Sequence, residues 1–219
     1  MADSLARAQL ARVAKTLAHA RRSSLPALAL MTDDDRLADP REAVLALPRG
    51  SLVVLRAREK ERRSALAAKL IRLARQRDLK WIVADDPELA VRAGAHGAHF
   101  AESKMALAAS WRLRRPGWLI TCAAHSFDAC LRAKRAAVDA VLLSPVFPTG
   151  SHPGRPALGS LRARSIARES ALPVYALGGV NERTARQLAG GDFAGLAAIS
   201  GLAVRFRDRD RCACGTSNV

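Results

Sequence analysis

The sequence predicts an α/β protein of the (β/α)8 TIM-barrel class, a closed ring of parallel strands with an extra helix ahead of the first. Three observations carry that prediction. Short apolar runs alternate with longer amphipathic ones along nearly the whole chain, which is the pattern of strand–helix repeats around a parallel sheet. Eight such units fit into 219 residues, the short end of the size of one barrel domain. The last two units each close in a turn rich in Gly and Ser, and barrels commonly build a phosphate site from the loops after their seventh and eighth strands.

Taken in order, residues 1–24 are Ala-rich, basic and amphipathic, and read as a surface helix preceding the barrel. They lack the apolar central region of a secretory signal; a targeting peptide of another kind stays open. The barrel is assigned to residues 25–206 and a polar tail to 207–219. Residues 26–31 form the first strand, ending in Thr32-Asp33. A helix over 40–47 follows, with Asp39 as its cap and Pro40 in its first position. The second strand, 51–55, runs into the charged stretch from Arg56 to Lys60. The next helix, 62–76, spaces Leu66, Leu70 and Leu73 for one buried face. Strand three is 81–83, followed by Asp85-Asp86-Pro87 and a short helix to Ala93. Strand four is 97–100, and a helix spans 105–113. Strand five, 118–122, ends near His125-Ser126, and its helix is 127–135. Strand six is 138–143; a loop rich in Pro and Gly, 144–159, then leads to a helix over 158–168. Strand seven, 174–177, stops at Gly178-Gly179. Asn181 caps a helix over 182–188, and strand eight, 195–199, ends at Ser200-Gly201.

Composition narrows the function. Aromatics are only 4% of residues, so the core must be built from Ala, Leu and Val. No apolar run approaches a membrane span, and a soluble, cytoplasmic protein is expected. A net charge of +16 would draw in polyanions. The Arg residues are nevertheless scattered through helical segments without interleaved aromatics, so a solvated basic surface is expected and nucleic acid is not the expected partner. A phosphorylated small molecule is. Cys122 and Cys130 read as buried and reduced, and Cys212 and Cys214 as a C-x-C in the tail without a second ligand pair. A homo-oligomer is left open.

The paired turns supply the chemistry. Glycine lets a ligand approach the backbone, and free N–H groups at helix starts favour an anion. The phosphate is therefore expected on the N–H groups of Gly178, Gly179 and Ser200, with the Ser200 hydroxyl as a further donor. Gly-Gly as no more than a turn is the competing reading.

The run from Asp139 to Thr149 (DAVLLSPVFPT), the turn Ala176-Leu177-Gly178-Gly179-Val180 and the end Ala198-Ile199-Ser200 together resemble the thiamine-phosphate synthase superfamily. That superfamily comprises the synthases and the TenI-type thiazole tautomerases. Arg58-Glu59-Lys60 is similar to its R-[DE]-K motif after strand two, and Gly97-Ala98-His99 to its motif on strand four. The resemblance spans roughly residues 26–203 and implies a TIM barrel binding a thiazole phosphate. It also implies that Arg58, Lys60, Thr149 and His152 meet anionic substrate groups, His152 standing for a Lys; on the residues alone Arg58 and Lys60 read equally as surface charges at a helix start.

In the synthases an aminopyrimidine methyl diphosphate is joined to thiazole phosphate, with Mg2+ helping diphosphate to leave. Here the implied metal positions depart from the pattern. The Asn-Asp pair matches Ala84-Asp85, the second metal carboxylate matches Lys104, the Gln after strand four matches Glu102, and the Ser at the end of strand five matches Ala123. A shifted alignment would give Glu102 a metal role instead. The reading that follows is a TenI-like, metal-independent proton transfer with His125 as acid/base and no cofactor. His125 as a helix cap is its structural alternative. The functional alternatives are a thiamine-phosphate synthase using Mg2+ on Asp85, and a non-catalytic phosphate binder.

Overall fold

A computed structural model describes residues 2–150 and 156–203. Strand β1 (Leu28–Met31) pairs in parallel with β2 (Leu52–Leu55), and the ring runs on through β3 (Lys80–Ala84), β4 (Gly97–Phe100), β5 (Leu119–Ala124), β6 (Ala140–Leu143), β7 (Val174–Ala176) and β8 (Gly195–Ala198). The ring closes where Leu28, Ala29 and Leu30 pair with Leu196, Ala197 and Ala198. The fold is thus the (β/α)8 barrel that the alternation predicts. Nearly every strand residue is buried, because a barrel interior covers one face and helices the other. Trp81, Tyr175, Phe100 and Phe193 are the largest fully buried side chains, and the rest of the core is mostly Ala, Leu and Val. The Tyr175 hydroxyl donates to the Pro26 carbonyl at 2.6 Å, which satisfies the one polar atom of that ring.

The helices are α1 (Ala2–Ala20), α2 (Arg41–Leu45), α3 (Lys60–Gln76), α4 (Pro87–Arg92), α5 (Ala106–Arg114), α6 (Phe127–Arg135) and α7 (Gly159–Glu169). Two local expectations need correction. Pro40, not Asp39, stands at the cap of α2; Asp39 instead accepts the Arg41 N–H at 3.1 Å and pairs with its guanidinium. Between β7 and β8 there is no α-helix but a 3-10 helix, Thr184–Leu188. Asn181 still stabilises its start, its side-chain oxygen accepting from the N–H groups of Arg183 and Thr184. Among the described residues no helix is long and apolar enough to cross a membrane. Cys122 and Cys130 are buried free thiols, and burial pushes them up to about 12 and about 11. Cys212 and Cys214 lie outside the described residues.

Helix α1 does more than precede the barrel. It packs against β8 and β1, across the seam where the last strand meets the first. That is the berth an eighth helix takes when it follows the eighth strand, and among the described residues no helix follows β8. The orientation of α1 is fixed at its C-terminal end. There Arg21 pairs with Asp192 and donates to the carbonyls of Asp192, Ser170 and Leu172, at 3.2, 3.3 and 3.1 Å. Those residues precede β7 and β8, so this end of α1 sits at the base of the barrel. Fourteen residues at about 1.5 Å each carry the helix roughly 21 Å up to Arg7, at the opposite mouth.

Candidate active site

The C-terminal ends of the strands open into one cavity of about 610 Å³. Six of the residues singled out in the sequence line it: Asp85, His125, Thr149, Gly178, Gly179 and Ser200. Two others do not. Beyond β2 the chain turns outward at buried Ala57, so that Arg58 and Lys60 are exposed. Arg58 donates its N–H to Asp34 at 2.7 Å and pairs with Asp35, while Lys60 opens α3. His152, with Ser151, lies outside the described residues.

The glycine turns are built tightly. Gly178 and Gly179 have φ of +91 and +64, and a Cβ on Gly178 would lie 2.8 Å from the Pro145 Cα. Their carbonyl side is taken up by the loop after β6: Val146 donates to Leu177 O at 2.9 Å and Phe147 to Gly178 O at 3.0 Å. The N–H groups of Gly178, Gly179, Ser200 and Gly201 donate to no group among the described residues. Carbonyls bonded on one side and N–H groups unengaged on the other leave a cup of backbone donors of the kind that suits an anion.

A second cationic region comes from the far side of the seam. Asp33, at the end of β1, is 7% exposed and holds two guanidinium groups. Arg36 donates to it at 3.1 and 2.9 Å, and Arg56 at 3.1 Å. Burial alone would raise this carboxyl, but the hydrogen bonds from Arg36 and the charges of Arg36 and Arg56 outweigh it and hold it at about 2. Arg36 and Arg56 both line the cavity. Thr32 fixes the backbone of Arg56, its hydroxyl donating to the Arg56 carbonyl at 2.7 Å and accepting the Arg56 N–H at 2.8 Å. The inward cation after β2 is therefore Arg56, two residues before Arg58. Sequence reading missed Arg36, Arg56, Asp33 and, from α1, Arg7. The available signal was an Asp at a strand end, three residues before one Arg and facing another on the neighbouring strand.

Two histidines line the cavity. His99 on β4 is 5% exposed, and its Nδ1 shares a hydrogen bond with the Thr121 hydroxyl at 2.9 Å. Burial lowers it from 6.5 to about 4, against the charge of Asp85 and with that of Arg56, so it is neutral at neutral pH. His125 follows β5, and its Nδ1 stands 2.6 Å from the carbonyl oxygen of Ser144. A carbonyl can only accept, so Nδ1 carries the proton, and in the neutral ring Nε2 holds the lone pair. Ser126, not His125, caps α6, accepting the Ala129 N–H at 3.1 Å. The cap reading of His125 is thus set aside, while its role in chemistry is a separate matter.

The implied Mg2+ does not fit this donor set. Asp85 accepts the Ala101 N–H at 2.9 Å, and the Lys104 ammonium stands 3.9 Å from the same oxygen. Glu102 is committed elsewhere, to Arg132 at 2.5 Å and to the His125 N–H at 3.0 Å. Among the described residues no group of three His, Cys, Asp or Glu is placed to hold a metal ion. A hard divalent cation prefers several oxygens and is repelled by an ammonium at such range.

With this geometry in view, the comparisons with known proteins converge. Residues 28–202 match the family model described as thiamine monophosphate synthase. A thiamine-phosphate synthase of Chlorobium luteolum is 30% identical over 81% of this chain and 85% of its own length. Another, of Thioalkalivibrio sulfidiphilus, is 34% identical over 80% of this chain and 83% of its own. A solved thiamine phosphate pyrophosphorylase from Pyrococcus furiosus superposes with a TM-score of 0.67 at 24% identity, covering 82% of this chain and 87% of that one. That last likeness supports the fold alone. Each of these relatives is named a synthase or a pyrophosphorylase.

Proposed function

Because the chain belongs to the thiamine monophosphate synthase family, we propose that it couples two phosphorylated precursors in this one cavity. A thiazole phosphate sits with its phosphate in the cup of Gly178, Gly179 and Ser200. An aminopyrimidine methyl diphosphate lies with its diphosphate toward Arg36 and Arg56. The observation that carries this reading is a pair of separate donor regions in the cavity, the unengaged N–H groups at the ends of β7 and β8 and the guanidinium groups of Arg36 and Arg56 at the ends of β1 and β2. A proton shift on a single phosphorylated thiazole needs only one such region.

The thiazole nitrogen gives its lone pair to the methylene carbon as the carbon–oxygen bond to diphosphate breaks, and the diphosphate leaves with that bond's electrons. Charge builds on the leaving oxygen, where two guanidinium groups preorganised by Asp33 stabilise it without reorganising. Neutral His99 adds no competing positive charge. Thr149 lines the same cavity.

A second reading keeps the cup and assigns His125 a proton transfer on the thiazole, supported by the tautomer that Ser144 imposes. One assay separates the readings: thiamine phosphate formation from the two substrates with chelator present, beside tautomer exchange on thiazole phosphate. Coupling that persists in chelator is expected. Exchange without coupling would overturn the synthase reading in favour of the second, and neither reaction would leave a phosphate binder.

A further inference from the structure

We infer that Arg7, on the first helix, is a phosphate ligand of the cup and sets the selectivity for phosphorylated over unphosphorylated thiazole. The inference rests on the proposed occupancy of the cup.

Helix α1 turns one stripe inward along its whole length. Leu10, Ala14 and Leu17 bury the lower part of that stripe against the barrel. One turn higher, Asp3, Ala6 and Arg7 occupy the same face by their i, i+3, i+4 spacing and line the cavity together with Ser200 and Gly201. The clamp of Arg21 on the base of the barrel prevents the helix from sliding or rotating, so Arg7 is held at the rim beside the end of β8. A helix that followed β8 would run down and away from the mouth. A helix that precedes β1 in the same berth brings its own N-terminal turns to the ligand.

The guanidinium is also incompletely satisfied. Its Nη1 is buried and has no hydrogen-bond partner among the described residues. Leaving a buried charged donor unpaired costs free energy. A phosphate in the cup relieves that cost once the guanidinium swings onto it, and Arg suits this task because its donor fork matches a phosphate edge. The unphosphorylated alcohol offers no such acceptor.

The test is calorimetric titration of thiazole phosphate and of its alcohol into the wild-type chain and into Arg7→Met, which keeps the packing stem. Arg7→Lys serves as a second variant that retains charge but not the fork. Arg7→Met should weaken the phosphate about tenfold or more, leave the alcohol within twofold, and hold or raise Tm, since an orphaned buried donor is removed. Arg7→Lys should fall between. Wild-type chain that binds both ligands alike would overturn the cup and Arg7 together. A wild-type chain that discriminates, with both variants discriminating equally well, would overturn Arg7 alone.

Discussion

The ammonium of Lys104 and the carboxylate of Asp85 face each other at 3.9 Å at the mouth of the barrel. At such separations an effective dielectric near 20 gives about 4 kcal/mol of repulsion toward a like charge, less here because Lys104 is half exposed. Titration with Mg2+ should therefore give weak or undetectable binding to the wild-type chain. Lys104→Asp should tighten it by about tenfold or more. Strong binding to the wild type would contradict the donor-set argument.

His125 offers a sharper division between the two chemistries. Its ring is held in one tautomer by Ser144, which a base for proton transfer needs and a coupling step does not. His125→Ala should depress tautomer exchange by about 10²-fold or more while changing coupling by less than about tenfold. A comparable loss of coupling would make His125 part of the synthase machinery.

Stability should depend on acid through His99. Its folded value, about 4, lies below the unfolded 6.5, so the unfolded chain takes up a proton first as pH falls. The contribution is fully present above 6.5 and is lost as pH drops toward 4, roughly 3 kcal/mol at most. Urea unfolding of the wild type and of His99→Gln at pH 7, 5 and 4 should show this slope in the wild type only. Asp33 acts in a lower window, its contribution present above 3.8 and lost as pH falls toward about 2.

Asp33→Asn removes the partner of two guanidinium groups. The carboxylate is buried while Arg56 is partly exposed, so a loss of about 2 kcal/mol is expected rather than the full effect of an orphaned buried pair. The KM for the diphosphate substrate should rise about tenfold, with that for thiazole phosphate little changed. Equal shifts in both would place Arg36 and Arg56 outside the diphosphate region.

Much of this molecule is legible in its sequence because a barrel repeats. Eight apolar runs with turns after each are enough to place Asp85, His125, Gly178 and Ser200 on one rim, since parallel strands all end there. What escapes the sequence is decided by side chains from distant turns. Arg56 rather than Arg58 points inward because the Thr32 hydroxyl extends the β1–β2 pairing by one residue, and neither position looks special alone. The 3-10 helix after Asn181 carries a helical sequence, yet only Ala185 and Leu188 within it are buried. With so small a buried face, little holds a longer helix in place. Arg7 is unreadable from spacing, because its place depends on α1 lying over the seam.

That seam has a kinetic consequence. Arg21 and Asp192 are 171 residues apart in the chain, and the contacts that close the ring join its earliest segment to its last described strand. Pairings of such long range are slow to form because loop closure precedes any reward. A nascent chain must therefore hold α1 and β1 without their partner until β8 is made. The proposed phosphate cup, which uses Ser200 beyond that strand, becomes competent only when the ring is complete. Ligand binding is thus a readout of the last step of folding, and a burst of thiazole phosphate binding in refolding experiments should trail the recovery of helical signal.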